Sequence, residues 1–327
     1  MYLGFDLGGS TIRGALFNRN FATLTQTKRI LRTRGTGYTK ITDSQVVHAI
    51  IETTFEMLQK SLARPTDIQA IGIGFPGPVA ANFLSTLGSP NISTNDNPMH
   101  ISIAAAFSEI GLHLPIRFFN DVAAQLWAER TKGSVQGIDD VLAIYLGTGL
   151  GGAIISSGVL VHGTHGRAGE IGHLNVPGNT KSCGCGKQGC LETIVGGPHL
   201  QSDGNCAVKI GMENKVLDLP ALDCLYKQLL ELTNLWDRSA NLLATQIANM
   251  CILLDPAALI FGGGVFRMCP NFLNTLEVAV RRLTQSSSID TLSFHHASLG
   301  DTSGCLGAVL LACECTVRQS YDSTRLR

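Results

Sequence analysis

Two segments of the chain follow one plan. "YLGFDLGGSTIRGALF" (2–17) and "VLAIYLGTGLGGAIISSGVLV" (141–161) each run from a short apolar strand, through a glycine-rich turn, straight into a second strand. β-branched and aromatic residues on both sides of a glycine turn read as a hairpin. Two such hairpins predict a duplicated core, one copy per domain, and 327 residues suffice for two hydrophobic cores. No shorter period repeats, which excludes a solenoid.

The turns bound the chemistry. "GTGLGG" matches the dinucleotide pattern G-x-G-x-x-G through Gly147, Gly149 and Gly152. That pattern works only when its last glycine opens a helix that receives a pyrophosphate. Here it enters "AIISSGVLV", a strand, so the Rossmann reading fails. No G-x-x-x-x-G-K-[ST] is present either. What remains is a turn whose backbone N–H groups face phosphate oxygens, with the Thr148 hydroxyl beside them. "DLGGST" repeats the device with Gly8, Gly9, Ser10 and Thr11, and its Asp6 is placed to hold Mg²⁺ through water or a phosphate. Each hairpin alone reads more readily as a plain glycine turn. Two of them, with Gly263 and Gly264 of "FGGGV" after a third apolar strand, point to a nucleotide.

Between the hairpins, apolar residues at helical spacing predict a helix over 43–62. "IQAIGIGF" is a buried strand ending at Pro76-Gly77, residues 79–100 read as a polar loop, and "IRFFN" is a strand from which Asp121 opens a helix through Arg130. Later come a helix over 238–254, the strand in "AALIFGGGV", and a final apolar helix capped by Thr302 or Ser303.

Lys+Arg and Asp+Glu both total 25, which argues against nucleic acid or an anionic membrane as partner. No apolar run reaches the length of a membrane span, and "MYLGFDLGGS" lacks the charged and apolar regions of a signal peptide. The expected location is cytoplasmic, with the ten cysteines reduced. Seven of them (Cys206, Cys224, Cys251, Cys269, Cys305, Cys313 and Cys315) read as small buried hydrophobes. "SCGCGKQGCLE" differs, because Cys183, Cys185 and Cys190 lie within eight positions. A disulfide leaves one thiol over, a redox centre usually shows Cys-x-x-Cys, and structural zinc wants a fourth ligand.

"DLGGSTIRGALF", "GIGFPGPV", "FFNDVAAQLWAE", "YLGTGLGGAI", "GRAGEIGH" and "CGCGKQGCLE", in this order, resemble the signatures of the ROK family, sugar kinases and related repressors of the actin–hexokinase–Hsp70 superfamily. The match resumes at "DPAALIFGGGV" and "GDTSGCLGAVLLA", and within the family 161–173 and the C-terminal part look most like bacterial hexose kinases such as allose kinase or glucokinase. The resemblance implies an α/β fold of two actin-like ATPase (ribonuclease H-like) domains around a cleft, with mixed five-stranded sheets flanked by helices. Residues 1–119 plus the C-terminal helix at about 303–327 would form the smaller domain, and 120–302 the larger, carrying the zinc site. It implies ATP with Mg²⁺ and a sugar as small-molecule partners, a structural Zn²⁺, and suggests a homodimer.

Site residues carry over by position. Asp121, which by itself reads as a first-turn helix acid, becomes the general base toward the sugar 6-hydroxyl, with Asn120 fixing the sugar beside it. Glu170 and His173 of "GEIGH", otherwise surface residues on a loop, contact sugar hydroxyls and the anomeric end, and Glu192 completes the carboxylates. Gly77 and Asn91 match the other wall of the sugar pocket, although Asn91 equally suits a turn. The family's zinc site adds His173 to Cys183, Cys185 and Cys190, one ring nitrogen on the metal and the other toward the sugar.

Three other functions compete. A ROK regulator carries a helix-turn-helix ahead of the first hairpin, whereas here the hairpin begins at residue 2. A glycoside hydrolase using two of Asp121, Glu170 and Glu192 leaves the glycine turns unexplained. A silent sugar-binding protein would not need every catalytic position filled. The expected function is an ATP-dependent hexose kinase, with N-acetylmannosamine or N-acetylglucosamine as the alternative acceptor.

Overall fold

The computed structural model describes residues 1–8, 11–31, 41–89, 92–93, 99–114, 116–208, 216–284 and 291–325. Two compact units account for them: 1–136 with 162–168 and 298–327, and 137–161 with 169–297.

The first unit starts with the hairpin β1 (Tyr2–Leu7) and β2 (Thr11–Phe17), followed by β3 (Thr23–Ile30), the two-residue β4 (Ile41–Thr42) and helix α1 (Asp43–Ser61). A capping box starts α1: Gln45 N–H donates to Thr42 Oγ1 at 3.3 Å and Thr42 N–H to Gln45 Oε1 at 3.0 Å, satisfying two donors that a helix start leaves open. Next come β5 (Ala70–Phe75), β6 (Ile92–Ser93), α2 (Met99–Glu109), β7 (Ile116–Asn120) and α3 (Asp121–Lys132). The polar loop expected over 79–100 therefore gives way to helix two residues early, at Met99, because Met99, Ile103 and Phe107 repeat every four residues and are buried. β3 lacked a strong signal: its "TLTQTKRI" is half exposed along its length.

The sheet order is β3-β2-β1-β5-β7, antiparallel across the hairpin and parallel from β1 through β5 to β7. The C-terminal helix (Ser303–Arg325) enters through a 3-10 turn, Gly300–Thr302, and packs on β1, β5 and α3. Gly4 and Gly72 permit that approach, since a Cβ on either would stand 2.4 Å and 2.2 Å from carbonyl oxygens of the helix.

The second unit repeats the plan. β8 (Val141–Leu146) and β9 (Leu150–Ser156) form the hairpin, β10 (Val159–Leu160) follows, and then come the short helix α4 (Glu192–Val195) and α5 (Gly197–Val208), α6 (Leu219–Cys224) and α7 (Leu230–Leu254). β11 (Ala258–Gly262), α8 (Gly264–Met268), α9 (Pro270–Thr284) and β12 (Ser293–His296) complete it. The sheet order β10-β9-β8-β11-β12 has the same pattern, with β8, β11 and β12 parallel. The fold is α/β with two mixed five-stranded sheets, as expected. Gly152 lies inside β9, so no helix follows the glycine turn and the Rossmann exclusion holds.

The core of this unit centres on Trp236, fully buried and edge-on to Phe272 at 6.0 Å. Trp236 and Leu232 belong to the first two turns of α7, which begins at 230 rather than 238. Cysteine burial also departs from expectation. Cys251, Cys269 and Cys305 are buried, Cys313 and Cys315 are partly so, and Cys206 and Cys224 are exposed, because they fall on the outward faces of α5 and α6. Among the described residues no helix is long and apolar enough to cross a membrane.

Candidate active site

The described candidates form two clusters, one in each unit. In the first unit three neighbouring parallel strands, β1, β5 and β7, end side by side. Ligand sites of open α/β sheets lie beyond such carboxyl ends. Asp6 is near the end of β1, Gly77 just beyond β5, and Asn120 and Asp121 at the end of β7.

Asn120 is the N-cap of α3, its Oδ1 accepting from Ala123 N–H at 3.0 Å. Asp121 is the first helical residue, its Oδ1 accepting from Val122 N–H at 2.9 Å. Gly74 lies between Asp6 and Asp121. A Cβ there would be 3.6 Å from both Asp6 Oδ1 and Asp121 Cα, so the Asp6 carboxylate and the start of α3 both lie against this glycine.

Asp6 is buried, and burial pushes its carboxyl up to about 6, against the pull of Arg13, with Asp301 adding to the rise. Arg13 Nη1 stands 3.5 Å from Asp6 Oδ2, and Nη2 lies 3.7 Å from Asp301 Oδ2. Neither Arg13 nor Asp301 was singled out from the sequence. Arg13 was accessible to a closer reading, because the hairpin register places it opposite Asp6. Gly8 closes the turn with its N–H on Thr11 O at 2.8 Å. Gly9, Ser10 and Asn91 lie outside the described residues.

The second unit carries the other glycine turns. Gly147 N–H donates to Gly149 O at 2.9 Å, closing the turn between β8 and β9 around Thr148. Beside it, Gly263 follows the end of β11 and Gly264 opens α8. Gly263 has φ +99°, and a Cβ there would stand 2.3 Å from Leu146 O, so only glycine fits. A further pair, Gly196-Gly197, passed unnoticed in "VGGP". Gly197 N–H donates to Gly147 O at 2.9 Å, bracing the turn from behind.

Glu170 precedes a 3-10 turn, Ile171–His173, which replaces the loop expected there. His173 Nε2 is 3.7 Å from Glu170 Oε2, while Nδ1 is 3.7 Å from Cys183 Sγ. The ring thus points one nitrogen at the thiols and the other at the neighbouring carboxylate. Cys185 Sγ and Cys190 Sγ are also 3.7 Å apart, and the donor atoms of His173, Cys183, Cys185 and Cys190 all lie within 4.8 Å of one another. Sulfur donors about 2.3 Å from one tetrahedral ion would be about 3.8 Å apart, so the set fits zinc. Burial pushes the Cys183 thiol up to about 12, and a metal there must displace that proton.

Glu192 opens α4. Its Oε2 accepts from Leu150 N–H at 2.9 Å, and its Oε1 is 3.9 Å from Cys183 Sγ.

The sequence profile of the ROK family matches residues 2–314. A glucokinase of Halalkalibacterium halodurans is 30% identical over 94% of this chain and 93% of its own length. An N-acetyl-D-glucosamine kinase of Pectobacterium atrosepticum is 26% identical over 95% of this chain and 98% of its own. Among solved structures, a ROK family glucokinase from Streptomyces griseus, in complex with glucose and AMPPNP, superposes with a TM-score of 0.78 at 28% identity, covering 96% of this chain and 99% of that one.

Proposed function

On the premise that the chain belongs to the ROK family, we propose that it is an ATP-dependent kinase of a hexose, phosphorylating the 6-hydroxyl with Asp121 as general base. The observation that carries this reading is the pairing of Asp6 and Asp121 about Gly74 at adjoining strand ends. A kinase needs one acid near the nucleotide's phosphates and metal, and a second near the hydroxyl that attacks them.

Asp121, held by Val122 N–H, accepts the hydroxyl proton as the new phosphorus–oxygen bond forms. Asn120 spends its side-chain oxygen on the cap, which leaves its amide N–H₂ as the group to meet a sugar oxygen. Gly77, Asn91, Glu170, His173 and Glu192 are assigned to the remaining hydroxyls, and neutral polyols are gripped by such short acceptors and donors. Asp6 with Gly8, Gly9, Ser10 and Thr11, and Gly147, Thr148, Gly149, Gly263 and Gly264, are assigned to ATP and its Mg²⁺. Positive charge at that acid favours its ionised form against the burial that raises its pKa.

His173, Cys183, Cys185 and Cys190 would hold zinc, which supplies a fixed four-way junction and no step of the reaction. Bound through Nδ1, His173 would keep Nε2 for hydrogen bonding beside Glu170.

The kinship to a glucokinase favours an aldohexose, and that to an N-acetyl-D-glucosamine kinase keeps N-acetylhexosamines as the second reading. A coupled assay of ADP release over a panel of hexoses and N-acetylhexosamines decides between them. One acceptor should exceed the rest by at least tenfold in kcat/KM, and ADP release independent of any sugar would refute the proposal.

A further inference from the structure

Glu192 is assigned above to the sugar, yet its carboxylate is committed to the glycine turn of β8 and β9. Oε2 takes the Leu150 N–H at 2.9 Å, and a Cβ on Gly149 would stand 2.3 Å from the same oxygen. A side chain at residue 149 would therefore have to displace this carboxylate from the turn. Resting on the kinase reading, we propose that Glu192 is a positioning residue for the nucleotide, transmitting the placement of the Cys/His cluster to the phosphate-facing turn at 147–149.

The covalent path is short, since Glu192 lies two residues beyond Cys190. The cluster fastens two chain segments already stitched together: Val176 N–H donates to Gly189 O at 2.8 Å and Leu191 N–H to Leu174 O at 2.9 Å. His173 ends one segment and Cys190 lies in the other, so four donors on one ion would lock both. From there the chain grips the turn at both ends. Glu192 holds Leu150, and Gly197 N–H holds Gly147 O at 2.9 Å. Gly172, inside the 3-10 turn before His173, presses on the same place: a Cβ there would stand 2.2 Å from Leu150 O and 3.4 Å from Glu192 Cβ.

A carboxylate that served the sugar alone would need none of this. A charge-assisted hydrogen bond to a backbone N–H instead fixes the direction in which the neighbouring amides point, and those amides are what a phosphate would meet.

The test is the affinity of the full-length, zinc-replete chain for Mg-AMPPNP, measured by calorimetry with no sugar present. Glu192→Ala should weaken it about tenfold, the scale of one lost charge-assisted hydrogen bond. Glu192→Gln keeps an oxygen acceptor for Leu150 N–H and should stay within about threefold of wild type, although both variants bind sugar poorly. Cys185→Ser, with metal content measured on the same sample, should weaken nucleotide binding as Glu192→Ala does. Unchanged nucleotide affinity in Glu192→Ala, or a Gln variant as weak as the Ala variant at equal Tm, overturns the coupling while the kinase reading stands. A wild-type chain that binds no Mg-AMPPNP and phosphorylates no sugar overturns that reading itself, and the coupling with it.

Discussion

Replacing Asp6 by asparagine should stabilise the protein at neutral pH while impairing its use of ATP. The carboxyl titrates at about 6 in the folded chain against 3.8 for the unperturbed group, with burial as the leading cause. The folded state therefore binds this proton more tightly than the unfolded state does. Below about pH 4 both states are protonated and the group is neutral in the balance. Between 4 and 6 the unfolded chain releases its proton first, so stability falls as pH rises. Above 6 the full penalty is present, about 3 kcal/mol from a shift of about two units. Asparagine is not ionised, so it removes this penalty, from which the pull of Arg13 at 3.5 Å is already deducted. For a chain of 327 residues unfolding as a whole, about 3 kcal/mol corresponds to ~4 °C in Tm. Thermal unfolding of both proteins, free of nucleotide and magnesium, should give nearly equal Tm at pH 4 and a variant higher by up to ~4 °C at pH 7.5. The reasoning is wrong if the two Tm values differ by the same amount at both pH values, or if the variant is the less stable at 7.5.

Two more outcomes concern groups that the chain holds rigidly. Glu129 on α3 is fully buried and accepts from Ser134, Ser298 and Leu299 N–H at 2.9, 2.7 and 2.8 Å. Glu129→Ala should cost at least ~3 kcal/mol by orphaning these donors, seen as a lower urea midpoint with unchanged slope. Elemental analysis of purified protein should find about one zinc per chain, and Cys185→Ser should lose it together with sugar affinity; metal-free protein with full sugar affinity would count against the cluster as a ligand set.

The hairpins and central strands were legible because their apolar runs are bounded by glycine and proline, and a buried strand needs little else. Period also revealed α1, and an apolar run behind a Thr-Ser cap revealed the C-terminal helix. β3 escaped because an edge strand with one exposed face alternates polar with polar, as "TLTQTKRI" does. The first turns of α7 escaped because Thr233, Asn234 and Asp237 dilute the signal of Leu232 and Trp236.

At the site, the sequence brought out residue types at turns, together with the family pattern, and the structure draws the donor atoms of the Cys/His set within 4.8 Å of one another. What local pattern could not reveal are contacts set by tertiary packing. Glu192 meets Leu150 across 42 residues. Gly197 braces Gly147 from another element, and Asp301 reaches Arg13 from just ahead of the C-terminal helix. Arg13, which no motif marked, stands opposite Asp6 through the hairpin register.

The most direct test of the central claim is the rate of hexose-dependent ADP release by Asp121→Asn, measured beside sugar affinity on the same preparation. If Asp121 is the general base, kcat should fall by ~10²–10⁴ while the dissociation constant for sugar changes by no more than about threefold. Turnover within tenfold of wild type, with sugar still bound, would contradict the account.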